Sequence, residues 1–368
     1  MHHKPLNVGV VGCGYWGPNL IRNLHQLSDC HLKLVCDTSP QRLAHMRKTY
    51  PDVEGTDNFE ALVNDHDLDA VLIATPVRFH YQMARASLLA GKHTFIEKPM
   101  ASSAAECEEL IELAEQRGLI LMVGHTFLFS PTVRKIKEII DRGDIGELHY
   151  IAARRLNLGL FQKDINVAWD LAPHDLSIIL HVMKGLPQSV ACWGNAHITP
   201  GIEDVTSMHL SFENSRAAMI HSSWLDPKKV REMTFVGSRR MIVYDDTAPH
   251  EKIKIYDARV EVPPHYDTFA EFQYSYHYGD MYVPYVKQEE PLKVECQHFV
   301  DCIRNGRTPL TSGQEGLGVV QILELASRSL QQGGLPQELM RLARADYPAM
   351  PLLAAAVARQ MRTVPAST

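Results

Sequence analysis

The chain has 368 residues, about twice the usual domain length, so we expect two domains with separate cores. Its 37 Lys and Arg residues against 43 Asp and Glu residues give a net charge of −6, which argues against nucleic acid or an acidic membrane surface as a partner. Apolar residues at 45% and charged residues at 22% lie close to globular averages, which excludes a disordered or fibrous protein.

Membrane and disulfide signals are absent from the sequence. No stretch approaches the roughly 20 apolar residues that span a bilayer, and the first eleven residues lack the apolar core of a signal peptide. We therefore expect a cytoplasmic protein with no membrane partner. The seven cysteines are scattered and contain no CxxC pair, so neither a disulfide framework nor a metal site is expected.

The first 125 residues alternate apolar runs with helical patterns, which is typical of a parallel sheet covered by helices. They predict an α/β, doubly wound domain. The predicted strands are Asn7–Val11, His31–Cys36, Ala70–Ala74, Thr94–Ile96 and Ile120–Val123, and the predicted helices are Asn19–Leu27, Pro40–Thr49, His80–Ala90 and Ala104–Arg117, with Gly118 ending the last one.

After Pro131 the pattern changes to a helix, a strand, a polar loop and a second helix, and then to consecutive strand-like segments. These segments are separated by turn residues and not by crossover helices, which predicts an antiparallel sheet. Helical periodicity then returns twice before a Gly-Gly pair at 333–334. The predicted segments are helix Val133–Arg142, a strand ending at Arg154–Asn157, a helix through Asp175–Met183, strands Val205–Phe212, Ala217–Trp224, Arg231–Val236 and Ile253–Tyr256, and helices Val294–Asn305 and Gly313–Gln331.

A glycine-rich loop follows the first strand directly and leads into a helix. The pattern Gly12-Cys13-Gly14-Tyr15-Trp16-Gly17 is the GxGxxG of dinucleotide-binding folds, where the first glycine permits the turn, the second admits the pyrophosphate and the third allows helix and strand to pack. Asp37 lies 20 residues after the last glycine, at the end of the second strand, and can bind the adenosine ribose hydroxyls. This spacing predicts NAD as the cofactor, and Arg42 nearby leaves NADP possible.

Two further motifs carry candidate chemistry. Lys98, in Glu97-Lys98-Pro99, lies at the end of the predicted strand that contains Thr94–Ile96, and the carboxyl ends of parallel strands face a ligand; its alternative is an ordinary surface lysine. Asp170 and His174 lie four residues apart at the start of a helix, so the carboxylate can orient the imidazole as a base for a sugar hydroxyl. The alternative for this pair is a helix cap at Asp170 with a packed histidine.

Together these residues resemble the Gfo/Idh/MocA oxidoreductases, which share the glycine loop, an Ala74-Thr75-Pro76 segment with a downstream His80, the EKP motif and DxxxH. The resemblance implies an NAD-binding Rossmann domain over residues 1–125. It also implies a substrate-binding and oligomerisation α/β domain over 126–333 with a large, open, mostly antiparallel sheet, and a tail over 334–368. The second sheet then implies a homodimer or homotetramer.

The family's roles carry over to matching positions of this chain. Lys98 and His174 are the implied catalytic pair, with Asp170 as orienting or substrate-binding carboxylate. Near the site in sequence, a diphosphate could meet Arg154, Arg155, Asn157 and Lys163, although the charged loop has a solvated surface as its alternative. Trp169 is a further candidate for the substrate. The implied cofactor contacts are Gly12, Gly14, Tyr15, Trp16, Gly17, Asp37, Thr75, His80, Glu97 and Lys98, and no metal ligand is implied.

The substrate class follows from two segments. Residues 157–175, from Asn-Leu-Gly to Pro-His-Asp, resemble family members that oxidise nucleotide-activated sugars at carbon 3. Where many relatives carry a basic Asn-Arg-Arg-Phe segment, this chain has His125-Thr126-Phe127-Leu128-Phe129, which argues against a uronate.

Four aromatic residues alternate near position 275 and would line one face of a strand, either as a subunit interface or as a stacking surface for a pyrimidine base. They are Phe272, Tyr274, Tyr276 and Tyr278.

The predicted activity is hydride transfer between NAD and a secondary sugar hydroxyl. The alternatives are an inositol or free-sugar dehydrogenase, an NAD-using glycosidase, and a non-catalytic dinucleotide-binding regulator.

Overall fold

The computed structural model describes residues 4–261 and 274–339, and the first of its two sheets is parallel throughout. Its strands are β1 (Leu6–Val11), β2 (Cys30–Cys36), β3 (Glu54–Thr56), β4 (Ala70–Ile73), β5 (His93–Glu97) and β6 (Leu121–Gly124). Their order is β3-β2-β1-β4-β5-β6, which confirms the predicted doubly wound sheet. The three-residue β3 is too short for the sequence pattern to indicate.

Helices cover both faces of this sheet, and their ends carry the expected local signals. Ser39, Asn58 and Ser103 accept backbone N–H groups as N-caps, and Gly118 adopts a φ of 63° at the end of its helix as predicted. The helices are α1 (Gly17–His25), α2 (Pro40–Thr49), α3 (Phe59–Val63), α4 (His80–Leu89) and α5 (Ala104–Arg117).

The second sheet has nine strands in the described residues. They are β7 (Leu148–Leu156), β8 (Ser189–Asn195), β9 (Val205–Ser211), β10 (Ala217–Ser223), β11 (Val230–Gly237), β12 (Met241–Asp245), β13 (Ile253–Glu261), β14 (Ser275–Tyr282) and β15 (Gln337–Glu338). Their order is β14-β13-β12-β11-β7-β10-β9-β8-β15. The pairs are antiparallel except for β7 with β10, because a helix and two strands separate these two in sequence.

The described residues contain four more α-helices: α6 (Pro131–Asp141), α7 (Val167–Met183), α8 (Pro291–Asn305) and α9 (Gly313–Gln331). Ile179 of α7 and Ile322 of α9 pack with Ile151 and Phe235 of the second sheet in one buried core. By contrast, α8 packs on the first sheet, where the Phe299 ring meets the Phe95 ring at 5.8 Å. The segment 126–333 therefore contributes a helix to the core of the first sheet.

Two features near the ends of the second sheet bear on the predictions. The sequence predicts a tail from residue 334, but Gln337 and Glu338 pair with Val190 and Ser189 and so extend the sheet. Tyr276 and Tyr278 lie exposed on β14, and Phe272 lies outside the described residues.

None of the helices in residues 4–261 and 274–339 is both long and apolar enough to cross a bilayer.

Candidate active site

The glycine loop is sterically tight at its first and third glycines. A Cβ on Gly17 would lie 1.8 Å from the carbonyl oxygen of Gly12, and Gly12 itself has a φ of +97° with the carbonyl oxygen of Ala74 2.5 Å from its missing Cβ. At Gly14 the nearest atom would be the Arg42 guanidinium at 3.7 Å. Backbone atoms therefore leave no room for a side chain at Gly12 or Gly17. The loop is open at Gly14, as a pyrophosphate site requires.

Asp37, which follows β2, forms a hydrogen bond with this loop. Its carboxylate accepts the Cys13 N–H at 2.7 Å and the Ser39 N–H at 2.8 Å, and Arg42 Nη1 lies 3.5 Å away. Oδ2 accepts from both Cys13 and Arg42, whereas Oδ1 accepts only the Ser39 N–H among the described residues and so retains a lone pair for a ribose hydroxyl. These residues fit NAD, and the half-exposed Arg42 supplies a cation beside the carboxylate.

Tyr15 and Trp16, between the second and third glycines, differ in their surroundings. Tyr15 is 89% exposed at the mouth of the loop. Trp16 instead reaches across to the first sheet's fifth strand, where its Nε1 donates to Glu97 Oε1 at 2.5 Å. Burial raises the pKa of Glu97 to about 7, opposed by the Lys98 cation and this hydrogen bond.

His80 is buried between two loops of the first sheet. Its two ring nitrogens lie 2.7 Å from the carbonyl oxygen of Thr75 and 2.8 Å from that of Pro99. Burial lowers the pKa of His80, and a neutral imidazole carries one N–H, so the ring donates to one of these two carbonyls. This packing positions the ring between the loop after β4 and the loop after β5, and the cofactor contacts that the resemblance implies for His80 and Thr75 stay predictions.

Lys98 leaves β5 and reaches the N-terminal half of α7. Its Nζ donates to the backbone carbonyl of Asp170 at 2.8 Å and lies 3.8 Å from the Asp170 carboxylate, with only 18% of its side chain exposed. Pro173 lies inside α7 and lacks an N–H, so it gives no helical hydrogen bond to the carbonyl of Trp169, which is next to Asp170. Burial lowers the pKa of Lys98, opposed by the charges of Asp170 and Glu97.

His174 lies beside this lysine with no hydrogen bond from Asp170. Its Nδ1 is buried without a partner among the described residues, which leaves Nε2 as the nitrogen available to a substrate. The Phe127 ring packs edge-on against the imidazole at 5.0 Å between centroids. Burial, then the nearby Lys98 and Arg155 cations, hold the pKa of His174 well below its usual range. The ring is therefore neutral at neutral pH and is oriented by packing.

Asp170 is held by a tryptophan that sequence reasoning did not assign to the site. Trp224, which follows β10, is buried and donates its Nε1–H to Asp170 Oδ2 at 3.0 Å. The predicted Asp170–His174 contact is wrong because this distant indole and Lys98 occupy the carboxylate. The alternative role of Asp170 as a helix cap is also wrong, since Asn166 caps α7 by accepting the Trp169 N–H.

The remaining substrate candidates lie in different places. Arg154 points to the open face of the second sheet, where it pairs with Glu232 at 3.2 Å, whereas its neighbour Arg155 faces α7 and binds Asp175 through two hydrogen bonds of 2.7 and 2.9 Å. Successive residues of a strand point to opposite faces, so the site arginine is Arg155. Trp169 donates its Nε1–H to Ser327 on α9, away from Lys98.

Asn157 and Lys163 flank a loop that covers this region. The backbone N–H of Asn157 donates to Ser223, and Lys163 is exposed. A Cβ on Gly159 would lie 2.7 Å from the Trp224 ring, so the Asn-Leu-Gly segment lies directly on that indole. The loop is joined to the first sheet by Arg78, whose Nη1 lies 2.6 Å from Asp164.

Other possible binding features lie apart from Lys98. Within residues 4–261 and 274–339, no group of three or more His, Cys, Asp or Glu side chains is placed to hold a metal ion. A cavity of about 380 Å³ opens between α7 and α9, and none of the site residues named above lines it.

The chain matches two family models, one over the first sheet and one over part of the second. The oxidoreductase family model of the NAD-binding Rossmann fold of Gfo/Idh/MocA proteins matches residues 6–125, and the Gfo/Idh/MocA C-terminal domain model matches residues 133–243. In sequence, the chain is 25% identical to the uncharacterized oxidoreductase YrbE of Bacillus subtilis, covering 90% of this chain and 96% of that one. It is 24% identical to the scyllo-inositol 2-dehydrogenase (NAD(+)) of the same organism, covering 92% and 97%.

Solved structures show the same fold. GenD2 from gentamicin A biosynthesis, in complex with NAD, aligns with a TM-score of 0.78 at 20% identity, covering 92% of this chain and 98% of that one. The UDP-N-acetylglucosamine 3-dehydrogenase GnnA of Acidithiobacillus ferrooxidans aligns with a TM-score of 0.72 at 23% identity, covering 90% and 99%.

Proposed function

We propose that this chain, which belongs to the Gfo/Idh/MocA oxidoreductase family and binds NAD through its first domain, is a dehydrogenase of nucleotide-activated sugars that oxidises the hydroxyl at carbon 3. The observation that carries the proposal is the meeting of Lys98 with the N-terminal half of α7, 2.8 Å from the Asp170 carbonyl and beside the neutral His174. A cation and a proton acceptor at one point are what oxidation of an alcohol requires.

In the proposed reaction, the substrate hydroxyl gives its proton to His174 Nε2 while the hydride leaves the same carbon. Lys98 donates a hydrogen bond to the oxygen and stabilises the negative charge that develops there. Asp170 and Glu97 favour the charged form of Lys98 against its burial. NAD, when bound, supplies the acceptor for the hydride.

The pKa directions support this division of roles. A base must be unprotonated before it reacts, and the lowered pKa of His174 keeps the imidazole neutral across the physiological range. Lys98 begins from a much higher intrinsic pKa, near 10.4 in model peptides, and its carboxylate neighbours oppose the lowering by burial. We therefore assign the proton to His174 and the electrostatic role to Lys98.

The preference for a nucleotide sugar rests on residues 157–175 and on the fold shared with GnnA. The segment from His125 onward, which lacks the basic residues of many relatives, places Phe127 against His174 and Thr126 against Glu295. It therefore provides the apolar wall of the site and not a carboxylate-binding group. Free sugars are expected to be poor substrates because they lack the remote diphosphate that would position the ring.

The experiment is a substrate panel of UDP-sugars, dTDP-sugars, free glucose and inositols, followed by NADH absorbance. A nucleotide sugar should give a kcat/KM on the order of 100-fold above the free sugars. An equal value for an inositol would contradict the substrate class and favour the activity named for the scyllo-inositol relative. Aglycone release without net NADH would indicate a glycosidase, and NAD binding without turnover of any compound would indicate a regulator.

We also propose that the open face of the second sheet joins copies of this chain. Large side chains are exposed along it, from Trp193 on β8 through Met219 and Tyr150 to Tyr256 and Met281 on the far strands. An apolar face of this kind is typical of a homo-oligomer interface. The molar mass by light scattering tests this: a dimer or tetramer is expected, and a monomer at micromolar concentration would contradict it.

A further inference from the structure

Two arginines lie directly opposite each other on neighbouring strands of the second sheet. Arg155 on β7 is the register partner of Arg231 on β11, and both point to the face covered by α7, as does the buried Met233 two residues further on. Like charges at opposed positions of an antiparallel pair destabilise the sheet unless an anion lies between or beside them. Each arginine therefore needs a source of negative charge.

Arg155 forms a close ion pair with its counter-ion, whereas the ion pair of Arg231 is longer and more exposed. The Arg155 guanidinium is buried and held by both oxygens of Asp175. Arg231 lies 3.5 Å from Asp246 Oδ2, with 38% of its side chain exposed. The Asp246 carboxylate is also shared with Lys252 at 3.2 Å and with the Tyr244 hydroxyl at 3.2 Å. The charge of Arg231 is thus only partly balanced.

Arg231 lies on the α7 side of the second sheet, beside the ion pair next to the proposed reaction site. It is the register partner of Arg155, and Arg155 binds Asp175, the residue that follows His174 on α7. Its positive charge also contributes to the lowered pKa of both Lys98 and His174. The charged groups that surround this region are the cations Lys98, Arg155, Arg231 and Lys252 and the carboxylates Asp170, Asp175 and Asp246.

We infer that Arg231 is a specificity-determining residue that binds an anionic group of the substrate, a carboxylate or a phosphate. This inference rests on the proposed function and names the part of the substrate that the second sheet recognises. An arginine presents a planar set of hydrogen-bond donors that matches both anions. The Arg231 side chain is partly exposed and so can be reached by a ligand. The diphosphate of a nucleotide sugar and the carboxylate of a uronate are the two sources of that anion.

Arg154 provides a matched control. It lies one residue from Arg155 on the same strand, is paired with one carboxylate at 3.2 Å, and points to the opposite face of the sheet. Replacement of Arg154 removes the same charge from the same sheet, and it does so on the face that does not contact Lys98. A general effect of net charge would therefore appear in both variants, and a contact with the substrate only in one.

The experiment measures binding by calorimetry to the full chain with NADH present, for wild type, Arg231→Gln, Arg231→Lys and Arg154→Gln. The probes are UDP against uridine and glucuronate against glucose, so that each pair differs in its anionic group. Wild type should bind one anion more tightly than its neutral counterpart. Arg231→Gln should weaken the binding of that anion by about 10- to 100-fold and leave the affinity for the neutral probe unchanged. Arg231→Lys should retain part of the affinity for the anion. Arg154→Gln should change that affinity by no more than about twofold.

The pair that shows the effect identifies the source of the anion. Equal losses in Arg231→Gln and Arg154→Gln, or no preference of wild type for either anion, would overturn the inference. Because binding is read without turnover, the two proposals fail separately. Turnover of a UDP-sugar with no Arg231 effect contradicts only the inference, and an Arg231 effect with no substrate oxidised contradicts only the proposed function.

Discussion

The glycine loop and the cleft around Lys98 are built from different kinds of interaction. At the loop, the decisive feature is the absence of side-chain atoms, since a Cβ at Gly17 would lie 1.8 Å from a carbonyl oxygen. At the cleft, the decisive feature is a set of buried charged groups that come from both sheets and from α7. Lys98 lies beside Asp170, and Arg155 is paired with Asp175. The first region is therefore sensitive to volume and the second to charge.

The largest expected effect of a substitution on stability lies in the cleft. Asp175→Asn removes the counter-ion of Arg155, leaves a buried unpaired guanidinium, and should lower the free energy of unfolding by about 3–5 kcal/mol. Urea denaturation measures the change. Asp144→Asn is the control, because it removes a partner of the exposed Arg142 outside both sheets and should cost less than about 1 kcal/mol. Similar losses in the two variants would mean that burial does not separate these ion pairs.

The loop should respond to volume at one glycine and to ligand access at another. Gly17→Ala forces the backbone apart, so it should destabilise the fold by about 1–3 kcal/mol and also weaken NAD binding. Gly14→Ala places its Cβ 3.7 Å from the nearest atom, so the melting temperature should stay unchanged while NAD binding weakens. Thermal denaturation and calorimetry with NAD test the two together, and a destabilised Gly14→Ala would contradict this division.

A smaller effect is expected at the tryptophan that holds Asp170. Trp224→Phe keeps the ring and removes the donor to Asp170, so kcat/KM should fall about 5- to 10-fold with little change in NAD affinity. The matched control is Trp169→Phe, which removes a donor to Ser327 instead. If steady-state kinetics show equal losses in both, then the Trp224 indole acts through packing and not through the carboxylate.

The smallest effect belongs to the exposed pair that joins the covering loop to the first sheet. Arg78→Gln removes the contact with Asp164, and exposed pairs contribute about 0–1 kcal/mol, so KM should rise by no more than about fivefold. The difference from wild type should disappear at high salt because the pair is screened by ions. A larger rise in KM that persists in salt would show that Arg78 itself binds substrate.

The two regions also differ in what the sequence could predict. Gly12, Gly17 and Asp37 act within one strand-loop-helix-strand unit, so their spacing along the chain was enough to locate them. The partners in the cleft are distant in sequence: the Asp170 carboxylate meets Trp224, 54 residues further on, and not His174 four residues away.

Strand register sets a second limit. Arg154 and Arg155 are adjacent in a polar segment, and a shift of one residue moves a side chain to the other face of a sheet. The sequence pattern did not fix that register. Likewise, the role of His80 depends on the backbone carbonyls of Thr75 and Pro99, which no side-chain pattern reveals.

The assignment of His174 as base is tested most directly by the pH dependence of kcat/KM for wild type and His174→Asn on the best nucleotide sugar at saturating NAD. Burial and the nearby cations lower the pKa of His174, so wild-type activity should be lost, as the imidazole is protonated, well below the pH at which an ordinary histidine titrates. His174→Asn should lower turnover by about 10²–10⁴-fold, remove that acidic limb and leave NAD affinity unchanged. An acidic limb that persists in His174→Asn with near wild-type turnover would contradict the account and assign the proton to Lys98, or to Glu97 if Glu97→Gln removes the limb.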